Sequence, residues 1–206
     1  MRVAVFCGSS AGRVRHMEVA AEVGRTLAVR GAGIVYGGGR IGTMGAVADG
    51  ALSVGGSVIG VIPEHMVEWE IAHDGLTELH VVGSMHERKA LMADLSDAFV
   101  ALPGGAGTME ELCEIWTWAQ LELHAKPIGL LNVDGYYDHL IALVDHMVSE
   151  GFLKVPYREM LLVDDDIDRL LDRLALYRPP AYTWVEESPL ENVARKHNEK
   201  TAGFSC

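Results

Sequence analysis

Short runs of apolar residues recur along the chain at Val3 to Cys7, Gly33 to Tyr36, Ser57 to Ile62, Glu78 to Val82, Asp97 to Leu102 and Pro127 to Leu131. Most are continuous rather than alternating, the pattern of strands covered on both faces of a parallel sheet. The segments Arg13 to Arg30, Met44 to Val54, His86 to Leu95, Met109 to Leu123 and Tyr136 to Glu150 have the length and mixed polarity of crossover helices. This alternation predicts an α/β fold, a doubly wound parallel sheet flanked by helices. Met160 to Val163 adds an edge strand, and Asp164, Asp165 and Asp166 open a last helix to about Ala175, where negative charge suits a helix N-terminus. Beyond Arg178, Pro179 and Pro180 the chain turns polar and aperiodic. A single domain over residues 1–178 and a C-terminal extension over 179–206 are expected, since 206 residues suit one core.

In doubly wound sheets ligands bind beyond the carboxyl ends of the strands. Three glycine-bearing loops fall there: Gly8-Ser9-Ser10, Gly37 to Gly45, and Gly104 to Thr108. They are expected to share one rim. The third is the most informative, because Pro103-Gly104-Gly105-Ala106-Gly107-Thr108-Met109-Glu110-Glu111 joins a buried strand directly to an amphipathic helix. Glycines let a phosphate approach the backbone, and the first helical turn offers unpaired N–H groups at the positive end of the dipole. The pattern is neither a Walker loop nor GxGxxG. In the second loop, Thr43 reads equally as a helix cap with Gly45 allowing close helix packing, or as part of a ligand contact with Gly39 and Gly45.

Charge narrows the partner. With 17 Lys and Arg against 29 Asp and Glu, the formal charge is -12, which disfavours a broad nucleic-acid surface and leaves a small anion bound by local dipoles. Cys7, Cys113 and Cys206 form no CxxC and suit a reducing compartment. No apolar run reaches membrane-spanning length and the start lacks a signal peptide's apolar stretch, so a soluble cytoplasmic protein with no membrane partner is expected. No histidine has HExxH spacing and GxSxG is absent, which argues against a catalytic metal and a serine hydrolase.

Two further segments carry candidate chemistry. In Ser84 to Met92, Arg88 and Lys89 sit near a helix start, where positive charge is disfavoured; an anionic partner and a solvated pair with long apolar stems are competing readings. Glu111 also reads two ways, as N3 of a capping box with Thr108 at the N-cap, or as a carboxylate for chemistry. Glu110 and Thr117 lie seven apart, hence on one helix face, and Thr117 falls off the core stripe of Ile115 and Trp116. The tryptophans of Ile115-Trp116-Thr117-Trp118 suggest more apolar surface than one core hides, and so a homodimer.

These motifs resemble the Lonely Guy (LOG) family of cytokinin-activating phosphoribohydrolases. PGGxGTxxE stands at Pro103 to Glu111, the GGG loop at Gly37 to Gly45, and MHxRKxxM at Met85 to Met92, in one order across Val3 to about Val148. The resemblance implies a Rossmann-like fold, a homodimer, and no cofactor. It implies hydrolysis of the N-glycosidic bond of an N6-modified adenosine 5′-monophosphate to free base and ribose 5-phosphate. By motif position Arg88 and Glu111 are the implied catalytic pair. Implied substrate contacts are Glu70, Met85, Arg88, Lys89, Gly104, Gly105, Ala106, Gly107, Thr108, Met109, Glu110, Glu111 and Thr117, joined by Gly8, Ser9, Gly39 and Gly45 of the other glycine loops. Ala106 replaces a Tyr common in plant members. Proteins of this type have often been labelled lysine decarboxylases, but no motif here supports pyridoxal phosphate chemistry.

Overall fold

A computed structural model describes residues 1–68 and 72–180. Its strands are β1 (Arg2–Phe6), β2 (Gly33–Tyr36), β3 (Val58–Pro63), β4 (Glu78–Val82), β5 (Ala98–Ala101), β6 (Ile128–Leu131) and β7 (Leu161–Asp164). They form one sheet in the order β4-β3-β2-β1-β5-β6-β7. Every pairing is parallel, with Val3 opposite Ile34 on one side and Ala98 on the other. The doubly wound reading therefore holds, edge strand included.

The helices are α1 (Val14–Val29), α2 (Gly42–Leu52), α3 (Glu64–Glu68), α4 (Met85–Asp94), α5 (Ala106–Gln120), α6 (Asp138–Ser149), α7 (Val155–Glu159) and α8 (Ile167–Leu176). On β1, Val3 and Val5 face a core shared with α1, α2 and α8, whereas Ala4 and Phe6 face one shared with α4 to α7. Both faces of the central strands are covered, which is why those strands read as unbroken apolar runs, whereas edge strand β4 is largely exposed. The acidic triplet behaves as expected: Asp166 caps α8 by accepting from the Arg169 N–H at 2.9 Å. The short α3 and α7 have no periodic signal in the sequence. The extension after residue 180, and Glu70, lie outside the described residues.

Strand order reverses at β1, whose neighbours are β2 and β5. Chains leaving those two edges diverge to opposite halves of the sheet and open a crevice between them at the carboxyl ends.

Candidate active site

A cavity of about 470 Å³ lies in that crevice, within the roughly 300–1,000 Å³ typical of small-molecule sites. Its wall is built from Gly8 to Gly12 after β1, Thr43 and Met44 at the start of α2, and Pro103 to Thr108 between β5 and α5. The three glycine loops do share a rim. Met85, Arg88, Glu110 and Glu111 complete it.

Helix α5 begins earlier than the capping-box reading requires. Gly105, extended at φ -91° and ψ -158°, is the N-cap, so Thr108 is the third helical residue and Glu111 the sixth. No box joins them. The S-x-x-E arrangement closes α4 instead, where Ser84 Oγ accepts from the Glu87 N–H at 3.2 Å and Glu87 Oε2 accepts from the Gly83 N–H at 2.9 Å. With no side chain capping α5, the amides of Ala106, Gly107 and Thr108 have no carbonyl behind them. A Cβ on Gly105 or Gly107 would meet nothing within 4 Å, so the approach is open. The Thr108 hydroxyl is buried without a hydrogen-bond partner, 2.2 Å from where a Cβ on Gly104 would stand. Open amides beside an orphan hydroxyl fit an oxygen-rich anion.

Also on the cavity wall, Arg88 and Glu111 are 7% and 6% exposed, their Nη2 and Oε1 atoms 3.5 Å apart. The solvated reading of the Arg88-Lys89 pair is thereby corrected: both cations are buried because partners receive them. Arg88 Nε donates to the Val61 carbonyl at 3.2 Å, tying the guanidinium to β3. A Cβ on Gly37 would fall 1.9 Å from Arg88 Nη2, so that glycine makes the guanidinium's place. Burial pushes the Glu111 pKa up to about 7, against the pull of Arg88. The carboxyl thus stands between its two protonation states near neutrality.

Lys89 is buried against Glu110 and lies 2.8 Å from Glu114 Oε2. Burial works against its charge, yet the hydrogen bonds to Glu110 and Glu114 hold its pKa above the ordinary lysine value. Among the described residues Lys89, Met109, Thr117, Gly39 and Gly45 do not line the cavity. Thr117 is exposed and donates to the Cys113 carbonyl at 2.7 Å. Gly39 is buried and bridges to Ala72. Gly45 serves close packing, but against its own loop: a Cβ there would sit 2.1 Å from the Arg40 carbonyl oxygen. Thr43 is not the cap of α2, whose N-cap is Ile41; its hydroxyl accepts from the Gly8 N–H at 2.9 Å and donates to the Gly8 carbonyl at 3.0 Å.

Cys7, His16, Met44, Met66 and Tyr136 also line the cavity. Cys7 and Met44 adjoin or fall in the predicted glycine loops, whereas local spacing gave no sign of His16, Met66 and Tyr136, which the strand order brings together. Among the described residues no lysine lies on the cavity wall, so that donor set does not fit a pyridoxal phosphate Schiff base. Among the described residues no cluster of His, Cys, Asp and Glu is arranged to hold a metal ion.

Comparison with known proteins adds the lineage. Residues 44–174 match the family described as possible lysine decarboxylase. The chain is 51% identical over 179 residues, 86% of its own length and 79% of the relative's, to the probable cytokinin riboside 5′-monophosphate phosphoribohydrolase LOGL9 of Oryza sativa subsp. japonica. The chain belongs to the LOG family. A second LOG relative, the cytokinin riboside 5′-monophosphate phosphoribohydrolase LOG5 of Arabidopsis thaliana, is 46% identical over 86% of this chain and 78% of its own length. The fold also matches the molybdenum cofactor binding protein of Rippkaea orientalis, with a TM-score of 0.66, 19% identity, and coverage of 85% and 95% of the two chains. At that identity the likeness speaks for the LOG architecture alone.

Proposed function

We propose that this chain is an N-glycosyl hydrolase that splits cytokinin riboside 5′-monophosphates into free base and ribose 5-phosphate. The carrying observation is the buried Arg88–Glu111 pair on the wall of a cavity that an open helix N-terminus also lines. The amides of Ala106 to Thr108 hold the 5′-phosphate, which positions C1′ at a distance from the anchor. As the bond from C1′ to the base nitrogen breaks, the sugar gains oxocarbenium character and the base takes the bonding electrons. Glu111 in its carboxylate form stabilises the cation and removes a proton from the attacking water, whose oxygen bonds to C1′. Arg88 donates hydrogen bonds to the departing base, which takes a proton from solvent to become the free base while Glu111 returns its proton to water. Lys89 acts through Glu110, holding that carboxylate at the cavity edge. Relatives named as enzymes of this reaction, similar over most of both chains, support the assignment.

The nucleotide is bound in the cytoplasm by a homodimer. The apolar side chains of Leu121 and Leu123, 53% and 68% exposed beyond the end of α5, support self-association. Light scattering should show two chains, and an active monomer would refute this.

Incubation with isopentenyladenosine monophosphate, AMP and the dephosphorylated riboside tests the activity. Release of base from the first, fastest of the three, is expected. Tight binding without cleavage would make the protein a carrier, and faster cleavage of AMP would remove the cytokinin preference.

A further inference from the structure

The turn between β6 and α6 is held in a conformation its residues do not favour. Asp134 has φ 50° and Gly135 φ 73°, the left-handed region that a non-glycine residue rarely enters. The surroundings enforce it. Asn132 Oδ1 accepts from the Tyr137 N–H at 2.7 Å, its Nδ2 donates to Asp138 at 2.8 Å, and a Cβ on Gly135 would fall 2.5 Å from Asp138 Oδ2. The product of this arrangement is a pair of adjacent tyrosines with rings edge to face, 5.1 Å between centroids. Both hydroxyls reach the strand-to-helix junction of the anion loop. Tyr137 donates to the Leu102 carbonyl at 2.6 Å, and Tyr136 donates to the Gly104 carbonyl.

These two tyrosines differ in what they touch. Tyr137 is buried and belongs to the core. Tyr136 is 43% exposed, lines the cavity and is braced by His16, edge to face at 5.8 Å. Its partner is a glycine carbonyl, and glycine peptides turn over easily. In a trans peptide the C=O and the following N–H point in opposite directions. Fixing the Gly104 carbonyl therefore fixes the Gly105 N–H as well. A carbonyl released from its donor can rotate toward the bound anion, replacing an attractive dipole with a repulsive one.

We infer that Tyr136 is a positioning residue of the phosphate site: its hydroxyl holds the Gly104–Gly105 peptide in the orientation that leaves the Gly105 N–H as a donor to the ligand. This rests on the reading of the 103–108 loop as a phosphate cradle. Tyr136→Phe keeps the ring against His16 and removes only the hydrogen bond.

Calorimetric titration of the full chain with ribose 5-phosphate tests it, with the thermal midpoint recorded for each protein. The expected result is binding by the wild type and about tenfold weaker binding by Tyr136→Phe, the cost of one hydrogen bond, with the midpoint lowered by no more than a few degrees. In turnover the variant should raise KM for the monophosphate more than it lowers kcat, and lower kcat/KM for the monophosphate by a larger factor than for the dephosphorylated riboside. A merely structural role would lower both substrates alike. Equal binding by wild type and variant would overturn the inference while the phosphate cradle stands. No binding by the wild type would overturn the cradle and the inference with it. Should Tyr136→Phe fail to fold, 4-aminophenylalanine at position 136, which keeps ring and donor, carries the test. Wild-type affinity in that protein upholds the inference, and a tenfold loss with the fold intact overturns it.

Discussion

Loop 37–45 and loop 103–108 each carry glycines between a parallel strand and a helix, yet their glycines meet different surroundings. A Cβ on Gly37, Gly42 or Gly45 would lie 1.9, 2.3 or 2.1 Å from atoms of Arg88, Ser9 or Arg40, whereas on Gly105 or Gly107 it would meet nothing within 4 Å. The helix starts differ too. At α2 the Met44 N–H is spent on the Gly8 carbonyl at 3.2 Å, and Thr43 clamps the same peptide. At α5 no side chain caps the end and a buried hydroxyl waits without a partner. Glycine therefore has two uses here. In the first loop it lets protein approach protein; in the second it lets a ligand approach the backbone. Only the second loop leaves its helix start open, the feature on which the proposed anion site rests, and the first builds the seat in which Arg88 rests.

The largest effect expected from breaking that division is at Gly37. Gly37→Ala drives a methyl into the guanidinium of Arg88, a flexible tip that can move, so the fold should survive while Arg88 leaves Glu111. Activity should fall by about 10² to 10⁴, the range for losing a positioned catalytic group. Turnover measured beside a thermal melt checks it. Unaltered turnover would show that the seat is not needed.

Glu111 offers the next largest effect, through pH. Its folded pKa of about 7 stands above the ordinary 4.5, so the folded chain binds more protons than the unfolded one between those values. Stability contributed by the protonated carboxyl is complete below about pH 4.5 and is lost as pH rises toward 7, in total about 3 kcal/mol. Glu111→Gln cannot titrate. Urea unfolding at pH 5 and pH 8 should show the wild type losing about that much relative to the variant. The variant should lose no more activity than Gly37→Ala does, at both pH values, and, with the carboxylate as the proposed working form, wild-type kcat/KM should climb as pH rises through about 7. A pH-independent difference in stability would mean that Glu111 is not held up by burial.

Much of this contrast was legible in the chain, and its failures have physical causes. The parallel strands showed because the central ones are buried on both faces, and the open glycine loop at 103–108 showed because a strand, glycines and a helix follow one another without a gap. Glu111 was open to misreading as N3 of a capping box, because Thr108 stands three residues before it. The backbone of Gly105 can itself serve as N-cap, which moves the helix start forward and frees the carboxylate. Ser84 and Glu87 have the same spacing, and there Ser84 does cap a helix, with Glu87 reaching back to the Gly83 N–H. Burial of Arg88 and Lys89 could not be read locally, since it depends on β3 and α5. Tyr136 and His16 reach the cavity only because α1 and the turn after β6 flank β1 and β5 at the switch point.

Gly105→Ala sharpens the contrast at smaller cost. The position has negative φ and open space, so alanine fits the backbone and should leave stability within about 0.5 kcal/mol, or raise it slightly by restricting the unfolded chain. The added methyl nevertheless lies on the path of the phosphate. KM for the monophosphate should rise about tenfold, whereas kcat/KM for the riboside should hold. Equal losses for both substrates would place the phosphate elsewhere.

The smallest expected change concerns Thr108, and it separates two explanations of one buried hydroxyl. Thr108 Oγ1 is unpartnered and lies over Gly104. If it were merely trapped there by packing, Thr108→Val, of nearly the same shape, would remove an unsatisfied polar group, stabilise the fold by about 1 kcal/mol and leave binding alone. If its partner is a phosphate oxygen, the same substitution should still stabilise the unliganded protein, and should also weaken ribose 5-phosphate binding by about fivefold to tenfold. Paired melts with and without ribose 5-phosphate decide between them, because in the second case the ligand raises the wild-type midpoint more than that of the variant. The sign of that difference carries the result: a hydroxyl that costs stability when empty and returns it on binding is held ready for the ligand.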